Sequence, residues 1–198
     1  MTKNIEAFYS KNELAGMGFK SVGDNVSVSR RASIYNAGNI SLGSHVRIDD
    51  FCVLSGGKQI TIGNYVHIGC FCGLYGGTGI NIGSYSTLSS RVALYSESDD
   101  FSGESLTNPT IPAEFKPKYI KGLIHICNHV VVGTNSTVLP GVTINDGVAI
   151  GAHSLVKGDC EPWTIYSGTP VKIIRPRSRA LLKLLEKFHR NLPGISTD

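Results

Sequence analysis

The side chains best suited to chemistry in this chain are two neighbouring carboxylates. Asp99 and Asp100 lie in the polar stretch Ser96-Glu97-Ser98-Asp99-Asp100-Phe101-Ser102-Gly103. A carboxylate near its ordinary pKa of about 4 is a weak base toward a hydroxyl at neutral pH. Two acids held close together and away from water raise one pKa, which would make a base of the pair; a solvated acidic loop is the plain alternative. No histidine lies between His67 and His125, so no imidazole flanks the two acids. The five cysteines (52, 70, 72, 127 and 160) have an odd count and no metal-type spacing. They read as reduced thiols of a cytoplasmic protein, with Cys52 and Cys72 as packed small residues rather than nucleophiles.

The segment that must position these groups repeats itself. Val22-Gly23-Asp24-Asn25-Val26, Leu42-Gly43-Ser44-His45-Val46, Ile62-Gly63-Asn64-Tyr65-Val66 and Ile82-Gly83-Ser84-Tyr85-Ser86 begin 20 residues apart. Within each copy an aliphatic residue recurs every six, as in Leu42, Ile48 and Leu54, and the third step is stretched by two around Gly56-Gly57 and Gly76-Gly77. A step of six fits neither a 3.6-residue helix nor two-residue alternation. It fits a short strand and a corner, three times per coil, with coils stacked so that each side buries one aliphatic column. Gly23, Gly43, Gly63 and Gly83 are expected to relieve the bend at one corner, where a missing Cβ helps. Beyond residue 125 the step is a strict six: Ile126, Val132, Val138, Ile144, Ile150 and Val156. On this frame His45 and His67 fall at different hexad places, and His129 and His153, 24 apart, project from different faces. No converging set of zinc ligands is expected from them.

Residues 22–176 form the predicted coil domain, interrupted by an excursion at 96–121 that carries the acidic stretch and three prolines, at 109, 112 and 117. So long an irregular segment inside a working repeat points to function. Residues 1–21 form a capping segment with a short helix, introduced by the capping box Ser10-Lys11-Asn12-Glu13 and laid over the open first coil. Residues 163–174 read as a closing strand pair. Residues 177–198 hold a second helix over 178–190, capped by Ser178, ended by Pro193-Gly194 and packed on the last coils through Leu181, Leu182, Leu184, Leu185 and Phe188. The net charge of +4 in 198 residues suits a phosphate-bearing small ligand and does not call for nucleic acid. No apolar run approaches a membrane span.

The hexads, the excursion after Tyr95, and the block Val132-Gly133-Thr134, Pro140-Gly141-Val142-Thr143-Ile144, Ile150-Gly151-Ala152 and Gly168-Thr169-Pro170-Val171-Lys172 strongly resemble the hexapeptide-repeat acyltransferases. Among these the chain looks closest to the galactoside, maltose and surface-polysaccharide sugar acetyltransferases. The resemblance implies an all-β, left-handed parallel β-helix, a homotrimer with sites between subunits, and acetyl-CoA as donor. It places Gly133, Thr134, Gly151 and Ala152 against the pantetheine arm, where a Cβ branch would block a thin ligand, and Lys172 and Arg175 against the coenzyme phosphates. It also places a catalytic histidine where this chain has Asp99. That departure points away from a hydroxyl and toward an amine, which is nucleophilic once it has lost its proton. The expectation is therefore an acetyltransferase acting on an amino group of a nucleotide-linked sugar in surface-polysaccharide synthesis, with Asp99 and Asp100 as catalytic candidates and Tyr75, Tyr95 and Asn108 lining the sugar site. Transfer to a sugar hydroxyl and a non-catalytic β-helix scaffold are the alternatives.

Overall fold

The computed structural model of the protein describes residues 7–191. Strands of two or three residues, separated by corners, wind a three-sided parallel β-helix of six full coils and a seventh that opens into a hairpin. The first side holds six strands, from Ser21–Val22 to Thr143–Ile144. The second side holds eight and ends in the antiparallel pair Thr164–Gly168 and Val171–Pro176. The third side holds six, from Ser33–Tyr35 to Leu155–Val156. Register is set residue for residue: Ile60, Ile80 and Ile124 are direct neighbours in successive coils, as are Leu54, Leu74 and Leu94. Each of these six is fully buried, as are Ile48, Ile68 and Leu88 on the second side, so aliphatic columns from all three sides form the core.

The corners turn by a different device from the one expected. Gly23, Gly43, Gly63 and Gly83 do not adopt positive φ. A Cβ on Gly43 would lie 2.6 Å from the Gly63 carbonyl oxygen, and one on Gly83 2.6 Å from the Cys127 carbonyl carbon. These glycines let neighbouring coils approach; they do not bend the chain. That approach admits a side-chain ladder, in which the backbone N–H groups of Asp24, Ser44, Asn64, Ser84 and Asn128 donate to Ser44 Oγ, Asn64 Oδ1, Ser84 Oγ, Asn128 Oδ1 and Asp146 Oδ1. The bend falls two residues after each glycine, at Asn25, His45, Tyr65 and Tyr85, and at His129, two residues after Cys127 in the next coil; all five have φ between 55° and 59°. Such conformations cost on the order of 1–3 kcal/mol each in non-glycine residues. Stacking offsets part of that cost, since His45–Tyr65, Tyr65–Tyr85 and Tyr85–His129 lie 4.4, 5.2 and 5.3 Å apart and nearly parallel.

Helix α1, Lys11–Gly16, seats Leu14 against the core beside the first coil. Its capping box is complete, and Glu13 also takes both arms of the Arg30 guanidinium, at 2.7 and 2.8 Å. The Arg30 hydrogen bonds, with those of Ser10, lower the Glu13 pKa to about 2. A carboxylate depressed in this way stabilises the fold above its unfolded pKa and loses that contribution as pH falls through the folded value. The stability difference between wild type and Glu13→Gln should therefore be constant above about pH 5 and close as pH falls toward 2. Urea titrations from pH 7 to 2 measure it, and a gap that persists at pH 2 would contradict the assignment.

Helix α2, Leu181–Arg190, begins three residues later than expected. Ser178 Oγ accepts from Ala180 N but does not cap the helix, and Pro193-Gly194 lie outside the described residues. Its packing also differs from the expectation. Phe188 meets Tyr65 edge-on at 5.4 Å, and Tyr85 Oη lies 2.6 Å from His189 Nε2, so the helix runs back along the aromatic corner to the middle coils. Arg177 anchors its approach by donating to the carbonyls of His129, Gly147 and Val148. Among the described residues no helix is long and apolar enough to cross a membrane.

Candidate active site

The excursion leaves the third side after Ala93–Tyr95 and is pinned at its base. Ser96, fully buried, accepts from Thr78 N through Oγ and from Gly122 N through its carbonyl, so departing and returning chains meet at one residue. The strand Glu97–Ser98 then pairs antiparallel with Ile120–Lys121. This neck holds the acidic stretch over the third side and encloses a pocket of about 400 Å³, lined by Tyr95, Glu97, Ser98, Asp99, Phe101, Tyr119, Thr137 and Leu139.

The two acids do different work. Asp99 lines the pocket, and its Oδ2 accepts from Asn108 N at 3.0 Å. Its Oδ1 is buried and has no hydrogen-bond partner among the described residues. A buried carboxylate oxygen without a donor is costly, and such atoms in native proteins call for an explanation. Asp100 is spent on the loop instead: Oδ1 accepts from the N–H and hydroxyl of Ser102, and Oδ2 from Glu104 N. The Ser102 hydrogen bonds, backbone then hydroxyl, with Glu104 N hold its pKa below the usual carboxylate range. The two carboxylates therefore have separate partners, Asn108 N for Asp99 and the Ser102–Glu104 turn for Asp100.

Asn108 also serves the loop. Its backbone N–H fixes Asp99, its Oδ1 takes Thr110 N and Oγ1, and its carbonyl takes Lys116 Nζ, at a φ of 76°. Tyr75 and Tyr95 stack 4.9 Å apart in register, and Tyr95 lines the pocket. Two residues of the pocket escape a reading from sequence. Tyr119, on the returning chain, donates from its hydroxyl to Glu97 Oε2 at 3.2 Å, and Thr78 Oγ1 donates to Glu97 Oε1 at 3.0 Å. Glu97 was visible only as part of the acidic stretch, and nothing in the sequence marks Tyr119 as its partner.

The residues expected at the coenzyme sit apart from this pocket within one chain. Gly133, Thr134, Gly151 and Ala152 precede the left-handed corner residues Asn135 and His153, at the opposite end of the third side from the excursion. Gly133 has a structural reason for its size: a Cβ there would lie 2.5 Å from Ala152 N. Thr134 Oγ1 donates to Ser90 O at 2.6 Å. Lys172 and Arg175 are exposed on the final strand, opposite Ser167 and Ile165. The histidines are engaged elsewhere, His67 with Asp49 at 2.7 Å and His129 in the aromatic corner.

A parallel β-helix of hexads, interrupted once by an excursion that closes over a carboxylate, has the build of the hexapeptide-repeat acyltransferases, whose coil is left-handed. No protein-family model matches the chain. It is 44% identical over 189 residues, 95% of its length and 98% of the relative's, to the dTDP-4-amino-4,6-dideoxy-D-glucose acyltransferase of Escherichia coli. It superposes with a TM-score of 0.92 and 45% identity, over 95% of this chain and all of the other, on the S84A mutant of AntD, an N-acyltransferase from Bacillus cereus solved with dTDP-4-amino-4,6-dideoxyglucose and coenzyme A. AntD has also been solved with dTDP and 3-hydroxybutyryl-CoA (TM-score 0.91, 46% identity, 94% and 98% covered). A maltose O-acetyltransferase from Clostridium difficile shares the fold alone, at 22% identity and a TM-score of 0.61, over 89% of this chain and 80% of that one. The chain belongs to the dTDP-amino-sugar acyltransferases of the hexapeptide-repeat class.

Proposed function

We propose that this protein transfers an acyl group, acetyl in the simplest case, from acyl-CoA to the amino group of a dTDP-linked 4-amino-4,6-dideoxy sugar. The observation that carries this is the buried, unpartnered Oδ1 of Asp99 in a pocket without histidine. That oxygen needs a donor, and a protonated amine supplies one. Asp99 receives a proton from the bound ammonium, leaving a free amine; Asn108 N–H holds the carboxylate in place meanwhile. The amine nitrogen bonds to the thioester carbonyl carbon, the C–S bond breaks, and one of the two protons left on nitrogen passes to the departing thiolate while the other stays on the amide. Asp99 returns its proton to solvent. Asp100 shapes the loop, and Tyr75, Tyr95 and Asn108 frame the sugar side.

Lys172 and Arg175 are proposed to meet the coenzyme phosphates, and the corner at Gly133, Thr134, Gly151 and Ala152 the pantetheine arm. These groups and the Asp99 pocket lie at different edges of one prism, which supports sites completed between copies in a homotrimer. Phe51 and Phe71, stacked and about half exposed at one corner, are surface of the kind such contacts cover. A place in cytoplasmic nucleotide-sugar supply for surface polysaccharides fits this chemistry.

The test is a paired screen with acetyl-CoA and 3-hydroxybutyryl-CoA against dTDP-4-amino-4,6-dideoxyglucose and its 4-hydroxy counterpart. Acylation of the amine alone is expected. Acylation of the hydroxy sugar at a comparable rate would favour the O-transfer reading, and no product with either, together with no thermal stabilisation by coenzyme A, would favour a scaffold.

A further inference from the structure

The pocket contains a second carboxylate with a seat built for it. Glu97 lies in the strand Glu97–Ser98, two residues before Asp99, and both side chains line the cavity. Each Glu97 oxygen accepts one hydrogen bond, Oε1 from Thr78 on the neighbouring coil and Oε2 from Tyr119 on the returning chain. The carboxylate rests directly on Gly77, where any Cβ would collide with it. Burial first, then the charge and hydrogen bond of Glu97 and the charge of Asp99, raise the Tyr119 pKa, so the phenol stays protonated and goes on donating. The ring of Tyr119 is itself held between two ammonium groups, Lys116 Nζ at 4.6 Å and Lys121 Nζ at 5.5 Å from its centre. Neither lysine forms an ion pair with Glu97 among the described residues, although Lys121 is its register partner. A carboxylate oxygen accepts two hydrogen bonds, so each oxygen of Glu97 keeps one acceptor site.

We propose that Glu97 is the residue that selects a cationic acceptor: it binds the substrate ammonium alongside Asp99, with Tyr119 and Thr78 fixing its orientation. This rests on the reading of the pocket as an amino-sugar site. The division of labour follows from the partners. Glu97 is held by two hydroxyl donors and serves as a binding group. Asp99 presents a bare oxygen and takes the proton. An ammonium offers three N–H donors, enough to meet both carboxylates at once, whereas a hydroxyl offers one donor and no charge. Two carboxylates facing one small cavity therefore favour the amine over the hydroxyl at the binding step, before any chemistry. The groups facing Glu97 are Thr78 from the adjacent coil, Tyr119, Lys116 and Lys121 from the returning part of the excursion, and Asp99 from its own strand.

Calorimetric titration without acyl donor tests this, using dTDP-4-amino-4,6-dideoxyglucose, its 4-hydroxy counterpart and dTDP alone. The wild type should prefer the amino sugar nucleotide. Glu97→Gln should lose at least tenfold of that preference while its affinity for dTDP is unchanged, and Glu97→Asp should restore part of it. Tyr119→Phe, which removes one support and no charge, should raise KM for the amino sugar a few-fold with kcat held. Melting curves confirm that each variant is folded. If folded Glu97→Gln and Tyr119→Phe both keep the wild-type preference, the inference fails while the amino-sugar reading stands. If the wild type neither prefers nor acylates the amino sugar, the amino-sugar reading fails first.

Discussion

Asp99→Asn should lower turnover by about 10²- to 10⁴-fold, the range that a positioned general base contributes. The substitution is nearly isosteric, so the prism and the neck of the excursion should be untouched. An asparagine carbonyl oxygen can still accept from Asn108 N, as Oδ2 does at 3.0 Å. Its NH₂ group then occupies the place of the buried Oδ1 and points a donor at a substrate group that is also a donor. The variant loses both the proton acceptor and an unpartnered acceptor of the pocket. Affinity for coenzyme A should not change, because the residues proposed for it lie at another edge of the prism. Steady-state kinetics at saturating acyl-CoA, with coenzyme binding followed by thermal shift, separate the two effects. A coenzyme at 100 times its Kd should still stabilise the variant by about 2.7 kcal/mol. Full turnover in a folded Asp99→Asn would remove Asp99 as the base. The contrast with Glu97 is direct: Asp99→Asn should act on kcat, and Glu97→Gln on recognition of the amine.

The prism was open to inspection in the chain because its signal is one aliphatic residue every six, and Leu42, Ile48 and Leu54 carry it without interruption into the core. The mechanism of the corners was not. Tyrosine seldom takes positive φ, so local preference hides the role of Tyr65 and Tyr85. Only their stacking across coils makes it intelligible, and that depends on neighbours 20 residues away. The apolar stripe of α2 was visible, but its partner surface is built from several coils, which no single window contains. In the site, the excursion and Asp99 were identifiable, whereas Glu97 acquires meaning only when Tyr119 returns beside it through a strand pair with no hydrophobic alternation. Asp99 and Asp100 take different partners because Asp100 ties its own loop through Ser102 and Glu104, a contact that adjacency in the chain does not reveal.

Gly133→Ala should destabilise the protein by about 3 kcal/mol or more, at the upper end of the overpacking range, because the obstacle is backbone. The added Cβ would lie 2.5 Å from Ala152 N, 2.7 Å from the Gly151 carbonyl carbon and 2.9 Å from Ala152 Cα. None of these atoms belongs to a flexible side chain that can turn away. The two coils are also tied on either side of the contact, by Gly133 N to Ile150 O and His153 N to Thr134 O, both at 2.8 Å. Relief requires prising the coils apart and stretching both bonds. For a chain of this size the melting temperature should fall by roughly 6–12 °C. Gly158→Ala supplies the control, since a Cβ there meets nothing within 4 Å and the backbone needs no positive φ; its melting point should match or slightly exceed that of the wild type. The same pair weighs two reasons for a small residue at the corner. The new methyl on Gly133 would point at the next coil, not outward, so coenzyme affinity measured well below the melting transition should stay near the wild-type value. A Gly133→Ala variant that melted normally but bound coenzyme poorly would show that the glycine serves the ligand and not the stack.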